Sequence, residues 1–190
     1  MVKLIGFTGR ARSGKTTAAR LINSRNIRII NNVTKLQSVR LSFATPLKSM
    51  ASFLYPEIKE SFYGDKTQVH EPSGKTAREI LQLLGTEVCR NIYHDTWIDI
   101  MDRKVRNHID KKIITIDDIR FDNEFDFVRN HKGTENYMIG VVRGSDKQDK
   151  HKSEDVDALI DKCDYVVYND GSRDDYINSL RDTLLKIGAY

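Results

Sequence analysis

Eight residues near the N-terminus carry the sharpest chemical signal in the chain: Gly9-Arg10-Ala11-Arg12-Ser13-Gly14-Lys15-Thr16. Their spacing is G-x-x-x-x-G-K-[ST], a loop that needs a strand before it and a helix after it. The glycines let the backbone curl until successive N–H groups face an anion, and the helix N-terminus adds partial positive charge. Lys15 is suited to carry a mobile point charge to the β- and γ-phosphates. The Thr16 hydroxyl is suited to ligate a magnesium ion bridging the same phosphates. The motif therefore predicts a nucleoside triphosphate held by Gly9, Arg12, Ser13, Gly14, Lys15, Thr16 and Thr17, with Lys15 also acting in catalysis.

Such a loop needs a carboxylate at the end of a neighbouring strand to hold the metal or its water. Ile113-Ile114-Thr115-Ile116-Asp117-Asp118 supplies two. A strand alternates faces, so Asp117 and Asp118 are both metal candidates and only one is expected to point into the site. Asp118 is preferred, because Asp118-Ile119-Arg120 puts an acid and a base two apart on one face. Asp118 would then organise the metal or the attacking oxygen while Arg120 clamps a second phosphate. The competing reading is an Asp–Arg surface pair.

The elements that must position these groups follow from periodicity. Leu4 to Thr8 predicts the first strand and Gly14 to Asn23 the first helix. Further strands are expected at Val39 to Phe43, Ile113 to Ile116, Tyr137 to Val142 and Tyr165 to Tyr168. Thr45-Pro46 opens a helix with Pro at its first position. Thr76 with Glu79 forms a capping box, and Thr96 caps a helix bearing Trp97, Met101 and Val105. Ile177, Leu180, Leu184 and Ile187 stripe the closing helix. Strands alternating with helices predict an α/β domain with a mostly parallel central sheet, one domain over residues 1–190. Residues 143–157 are polar and charged between two apolar strands, which suits either a lid or a solvated excursion. Of its cations Arg143, Lys147, Lys150, His151 and Lys152, Arg143 is the preferred catalytic one because it directly follows a strand. Ser153 and Glu154 suit a helix cap there.

Bulk properties bound the rest. The chain has 190 residues, a net charge of +4 and 31% charged residues. No run approaches the roughly 18 apolar residues of a membrane span, and the N-terminus reads as a buried strand, so the expected location is cytoplasmic. The two cysteines, Cys89 and Cys163, lack metal-type spacing and read as free thiols. The basic residues are scattered, and no nucleic-acid-binding motif accompanies them.

With those residues in hand, the chain resembles the phage-type deoxynucleoside monophosphate kinases. The resemblance is carried by Gly9 to Thr16, Ser42-Phe43-Ala44-Thr45-Pro46-Leu47-Lys48, and Leu81-Gln82-Leu83-Leu84-Gly85-Thr86-Glu87 with Arg90. Trp97, Asp118-Ile119-Arg120-Phe121-Asp122-Asn123-Glu124, His151-Lys152-Ser153-Glu154 and Tyr168-Asn169-Asp170-Gly171 complete it in order. It implies a P-loop nucleoside monophosphate kinase-like fold with a helical acceptor-binding region at about 44–110 and a closing lid. It implies transfer of the γ-phosphoryl of ATP, with magnesium, to a small-molecule deoxynucleoside 5′-monophosphate. It also implies a homodimer in the cytoplasm (the host's, if the source is a bacteriophage), with no nucleic-acid or membrane partner. Asn169 and Gly171 resemble the loop that lies near the donor base in dephospho-coenzyme A kinases. The acceptor phosphate would be met by Arg120, Arg78, Arg90 and Lys48, with Arg78 equally readable as a surface charge. Gln82 would read a base edge, Thr86 lies in the same motif, and Phe43 or Trp97 would stack on the base. For Trp97, core packing is the favoured reading. The Asn- and Lys-rich stretch between Asn23 and Arg40 is longer than the family pattern. Two readings compete with the leading one: a kinase for a dephospho-coenzyme A-like or ribonucleotide acceptor, and a P-loop ATPase module with a nucleic-acid or protein partner.

Overall fold

The computed structural model describes residues 1–23, 37–144 and 156–189. Most of the Asn23–Arg40 stretch and the lid residues Lys147, Lys150, His151, Lys152, Ser153 and Glu154 lie outside them. The described elements begin with β1 (Val2–Thr8), α1 (Lys15–Asn23), β2 (Ser38–Leu41) and α2 (Ala44–Leu54). A 3-10 turn (Pro56–Phe62), β3 (Val69–His70), β4 (Lys75–Thr76) and α3 (Ala77–Gln82) follow, then a π-helical turn (Leu83–Val88) and α4 (Cys89–Ile92). The chain continues through α5 (Thr96–Arg106), β5 (Ile113–Ile119), α6 (Asp122–Asn130) and β6 (Thr134–Val142). It closes with α7 (Asp157–Ile160), β7 (Tyr165–Tyr168) and α8 (Arg173–Lys186). Two compact units result: Met1–Ser42 with Arg103–Tyr190, and Phe43–Asp102.

The first unit holds a five-stranded sheet, ordered β2-β5-β1-β6-β7 and parallel throughout. β1, β5 and β6 are apolar on both faces, as a sheet covered by helices requires. Ile5, Phe7, Ile139 and Val141 pack with Ala18, Leu21 and Ile22 of α1 and with Tyr176, Leu180 and Leu184 of α8. The connections diverge at β1: the chain leaves it for β2 on one side, while β5 connects across it to β6. Parallel α/β sheets bind ligands at the carboxyl ends of the strands at such a reversal.

One register detail sets the site. Gly6 pairs with Ile116, but Thr8 pairs with Ile119. Asp117 and Asp118 therefore stand together opposite the single residue Phe7, as a bulge in β5. A bulge breaks strict alternation and re-aims side chains.

In the second unit, Ala51, Ile58, Phe62, Ala77, Ile80 and Leu81 form a core, with Leu47, Tyr55 and Leu84 against it. The capping box is present: Thr76 accepts from the Glu79 N–H, and the Glu79 carboxylate accepts from the Thr76 N–H. Other expectations are corrected. Pro46 is the third residue of α2 rather than the first, still in the turn where its missing N–H has no intrahelical partner. Thr96 is itself helical, and its hydroxyl donates to the Tyr93 carbonyl (2.7 Å) rather than capping amides. β5 runs on to Ile119, so the acids lie within the strand instead of after it. The β3–β4 hairpin and the π turn have no counterpart in the periodicity reading. Among the described residues no helix is long and apolar enough to cross a membrane.

Candidate active site

β1 ends at Thr8, whose hydroxyl donates to the Ile119 carbonyl (3.0 Å) and ties the exits of β1 and β5 together. The loop that follows depends on two glycines. Gly9 has φ 144° and Gly14 φ 117°, conformations open to glycine and strained for other residues. A Cβ at Gly9 would also collide with the carbonyl oxygen of Val141 on the adjoining strand, which is backbone and cannot swing away. Gly9→Ala is expected to destabilise the protein by about 2–4 kcal/mol. Thermal unfolding would read this as a Tm lower by roughly 5–15 °C; an unchanged Tm would mean the loop is not held in this conformation.

Lys15 is only 7% exposed. Its ammonium donates to the carbonyls of Gly9 and Arg10, both at 2.6 Å, so its charge lies against the loop's own backbone. The Ser13 hydroxyl is buried and has no hydrogen-bond partner among the described residues. A buried polar atom without a partner is destabilising unless a ligand satisfies it, and it sits inside a loop built for an anion. Arg12 takes the left-handed conformation, φ 63°, with its side chain exposed, as are Thr16 and Thr17. Arg10 is engaged elsewhere: its guanidinium forks onto Asp157, Nε to Oδ1 at 3.0 Å and Nη2 to the other oxygen. That hydrogen bonding holds the Asp157 carboxyl below the usual range.

Two side chains brace the loop. Asn169, just past β7, donates from Nδ2 to the Ser13 carbonyl (2.8 Å). The Tyr176 hydroxyl, from α8, donates to the Gly14 carbonyl (3.0 Å). A Cβ on Gly14 would stand 2.7 Å from the first and 3.2 Å from the second. Gly171 lies against the next cap, where the Ser172 N–H donates to Asp175. Tyr176 was not among the candidates from sequence. Its only signal was the spacing of four through Leu180 and Leu184, which a core residue also satisfies.

On the neighbouring strand the two acids part company. Asp117 is 4% exposed and receives Arg40 Nη1 at 3.1 Å. Burial raises its pKa, the nearby Asp118 raises it further, and Thr16 and Arg40 oppose the rise. Asp118 accepts from the Ser42 hydroxyl at 2.6 Å. The carboxylate beside the loop threonine is thus Asp117, although alternation with Arg120 had favoured Asp118. Thr16 and Asp117 together offer hard oxygen donors of the kind magnesium takes. Arg40 and Ser42, which anchor the two acids, had been read only as parts of a strand and a motif.

Arg120 is half-buried just after β5. Its backbone N–H donates to Glu124 Oε2 (2.9 Å), which also receives the Phe121 N–H (3.3 Å), so the buried Glu124 shapes the turn that carries Arg120. Arg143 is exposed immediately after β6. Cys163 is an inert thiol, pushed up to about 12 chiefly by burial.

The other candidates belong to the second unit. Phe43 is buried. The Lys48 ammonium lies over the Tyr63 ring, 5.3 Å from its centroid. Arg78 is exposed, and Gln82, Thr86 and Arg90 are half-buried along α3, the π turn and α4. Trp97 is 6% exposed and donates from Nε1 to the Gly85 carbonyl at 2.9 Å, so the favoured packing reading is the one observed.

A parallel sheet with a phosphate loop at the carboxyl end of its central strand, and an acid from the next strand against that loop, defines a P-loop nucleotide-binding α/β protein. Solved structures share the fold. A dephospho-CoA kinase from Campylobacter jejuni superposes with TM-score 0.53 at 14% identity over 97% of each chain. A crystal structure from Thermus thermophilus does so with TM-score 0.52 at 14% identity over 98% of each. The family model for deoxynucleotide monophosphate kinase matches residues 70–180. The chain belongs to that family and is a kinase, a transferase acting on a nucleotide. A protein of Acanthamoeba polyphaga mimivirus, provisionally named a deoxynucleotide monophosphate kinase, is 29% identical over 93% of both chains. The deoxynucleoside-5'-monophosphate kinase of Escherichia phage T5 is 26% identical over half of this chain and 42% of its own length.

Proposed function

We propose that this protein transfers the γ-phosphoryl group of ATP to a deoxynucleoside 5′-monophosphate, releasing ADP and the deoxynucleoside diphosphate. The observation that carries the reading is the phosphate loop after β1, with its buried Ser13 hydroxyl unpartnered among the described residues, beside the strand that bears the buried Asp117, in a chain of this family. Magnesium, when bound, supplies charge neutralisation on the β- and γ-phosphates, and Thr16 and Asp117 are the residues that would hold it. The backbone N–H groups from Gly9 to Thr17 grip the polyphosphate, and the Ser13 hydroxyl joins them. Lys15 leaves its two loop carbonyls for the phosphates. Asp118 orients Ser42 at the strand edge, and Asn169 and Tyr176 keep the loop closed from behind. Arg120, on a turn held by Glu124, takes the acceptor phosphate with its planar fork. Arg143 adds a cation from the lid, assigned to about 143–157. The acceptor region is assigned to about 44–110, and a compact unit at Phe43–Asp102 supports that division. The family resemblance extends the proposal to a cytoplasmic homodimer without nucleic-acid or membrane partners.

An ATP-to-ADP coupled assay with magnesium, run against each dNMP and NMP and without acceptor, tests this. ADP formation that requires one or more dNMPs, with the matching diphosphate as product, is the expected result. Acceptor-independent hydrolysis, or activity only with ribonucleotides or coenzyme A precursors, overturns it. Arg120→Ala is expected to lower kcat/KM for the dNMP by about 100-fold while leaving KM for ATP within about twofold. A matching loss of ATP affinity would move Arg120 to the donor side.

A further inference from the structure

The helix carrying Arg78, Gln82, Thr86 and Arg90 is not uniform. Between α3 and α4 the backbone widens into a π turn, with the Cys89 N–H reaching back five residues to the Leu84 carbonyl. Such turns cluster at functional sites, because each inserts one residue and rotates everything after it. The rotation has a definite consequence here. At about 100° per residue, a regular helix would place Arg90 about 120° around the axis from Arg78. The inserted residue takes back about 100° of that, leaving Arg78 and Arg90 roughly 20° apart with Gln82 and Thr86 in nearly the same line.

A π turn is less favourable than the α-helix around it and needs outside support. Two side chains supply donors to its carbonyls. Trp97 Nε1 donates to Gly85 O at 2.9 Å, and Asn91 Nδ2 donates to Glu87 O at 2.6 Å. The Trp97 bond is buried, where a carbonyl left unmatched is most destabilising. Gly85 itself is buried against Leu47 of α2, whose Cδ2 would stand 2.7 Å from any Cβ added there. The turn is therefore clamped between α2 and the Trp97 indole.

We infer that this π turn is the device that aligns Arg78, Gln82, Thr86 and Arg90 along one helix face, and that Trp97 is the positioning residue that holds it. The stripe runs about 18 Å along the axis, long enough for a nucleoside monophosphate lying lengthwise. One end offers a guanidinium to the single phosphate, and the rest of the face offers an amide, a hydroxyl and the second guanidinium to the sugar and base edge. Trp97 touches no substrate in this arrangement; it acts through the phase of Thr86 and Arg90. The inference rests on the acceptor reading given above.

The test is Trp97→Phe, which keeps an aromatic ring and removes the N–H. It is expected to raise KM for the dNMP by about tenfold, with KM for ATP unchanged and kcat reduced far less. Arg90→Ala is expected to raise the same KM, and adding Trp97→Phe to it should raise KM by less than about twofold more. Additive losses, or an unchanged dNMP KM in Trp97→Phe, overturn the positioning role. If Trp97→Phe does not fold, Arg78→Ala and Arg90→Ala carry the test. Both should raise the dNMP KM, whereas an effect from only one of them overturns the shared face. A wild-type enzyme inactive with every dNMP would overturn the acceptor reading and this inference together; an active one that fails these variants overturns this inference alone.

Discussion

Lys15→Ala is expected to lower kcat by about three orders of magnitude or more while the protein stays folded. Phosphoryl transfer asks the protein for alignment and charge, and Lys15 is the loop cation assigned to the β- and γ-phosphates in this reading. Its ammonium now donates to two loop carbonyls, Gly9 and Arg10, so the substitution removes those bonds as well. The loop has other supports: Asn169 on Ser13, Tyr176 on Gly14, and the Arg10–Asp157 fork. Thermal unfolding should therefore shift by only a few degrees, about the effect of losing one or two hydrogen bonds. The coupled assay and a melting curve on the same sample separate the two effects. A folded variant that keeps turnover within about tenfold of wild type would remove Lys15 from the donor site.

Asp117→Asn is expected to lower kcat by about 100-fold or more and to raise the magnesium concentration needed for half-maximal rate, without a fall in Tm. The reasoning starts from burial. Desolvation, with repulsion from Asp118, raises the Asp117 pKa above its ordinary 3.8 in the folded protein. The folded state therefore binds this proton more tightly than the unfolded chain does. Its contribution to stability is fully present below the ordinary pKa and is lost as pH rises through the folded value. At neutral pH the ionised carboxylate is a net strain on the fold, relieved in part by Thr16 and Arg40. An amide of the same shape keeps a hydrogen-bond acceptor for both and carries no charge. Asp118→Asn is the control: its carboxylate faces Ser42, and a loss of less than about tenfold is expected. If Asp118→Asn is the inactive variant and Asp117→Asn turns over normally, the roles of the two acids are exchanged.

Much of this was legible from local sequence. The phosphate loop depends on contiguous residues and on the strand and helix that flank them, so Gly9 to Thr16 could be placed without any tertiary information. The Thr76–Glu79 capping box lies within four residues, and the stripe through Leu180 and Leu184 needs only helical period. Parallel α/β architecture followed because strands buried on both faces read as unbroken apolar runs, as Ile113 to Ile116 does.

Relations between distant segments were not legible, because no local pattern encodes them. The way Asp117 and Asp118 are presented turned on a bulge, and a bulge exists only relative to the partner strand: it is the step from Gly6–Ile116 to Thr8–Ile119 that sets both acids against Phe7. Asn169 and Tyr176 reach the loop from more than 150 residues away in the chain; the family resemblance alone put Asn169 near the donor, and Tyr176 could equally have been a core residue. The π turn is set by packing, since Gly85 is pressed on Leu47 and hydrogen-bonded by Trp97, and its effect is to rephase Arg90. Sequence alone determined which chemical groups this protein has and the short-range frames that hold them. Tertiary packing decided which of those groups face one another, because register, helical phase and burial are set by neighbours that are close in space and remote in the chain.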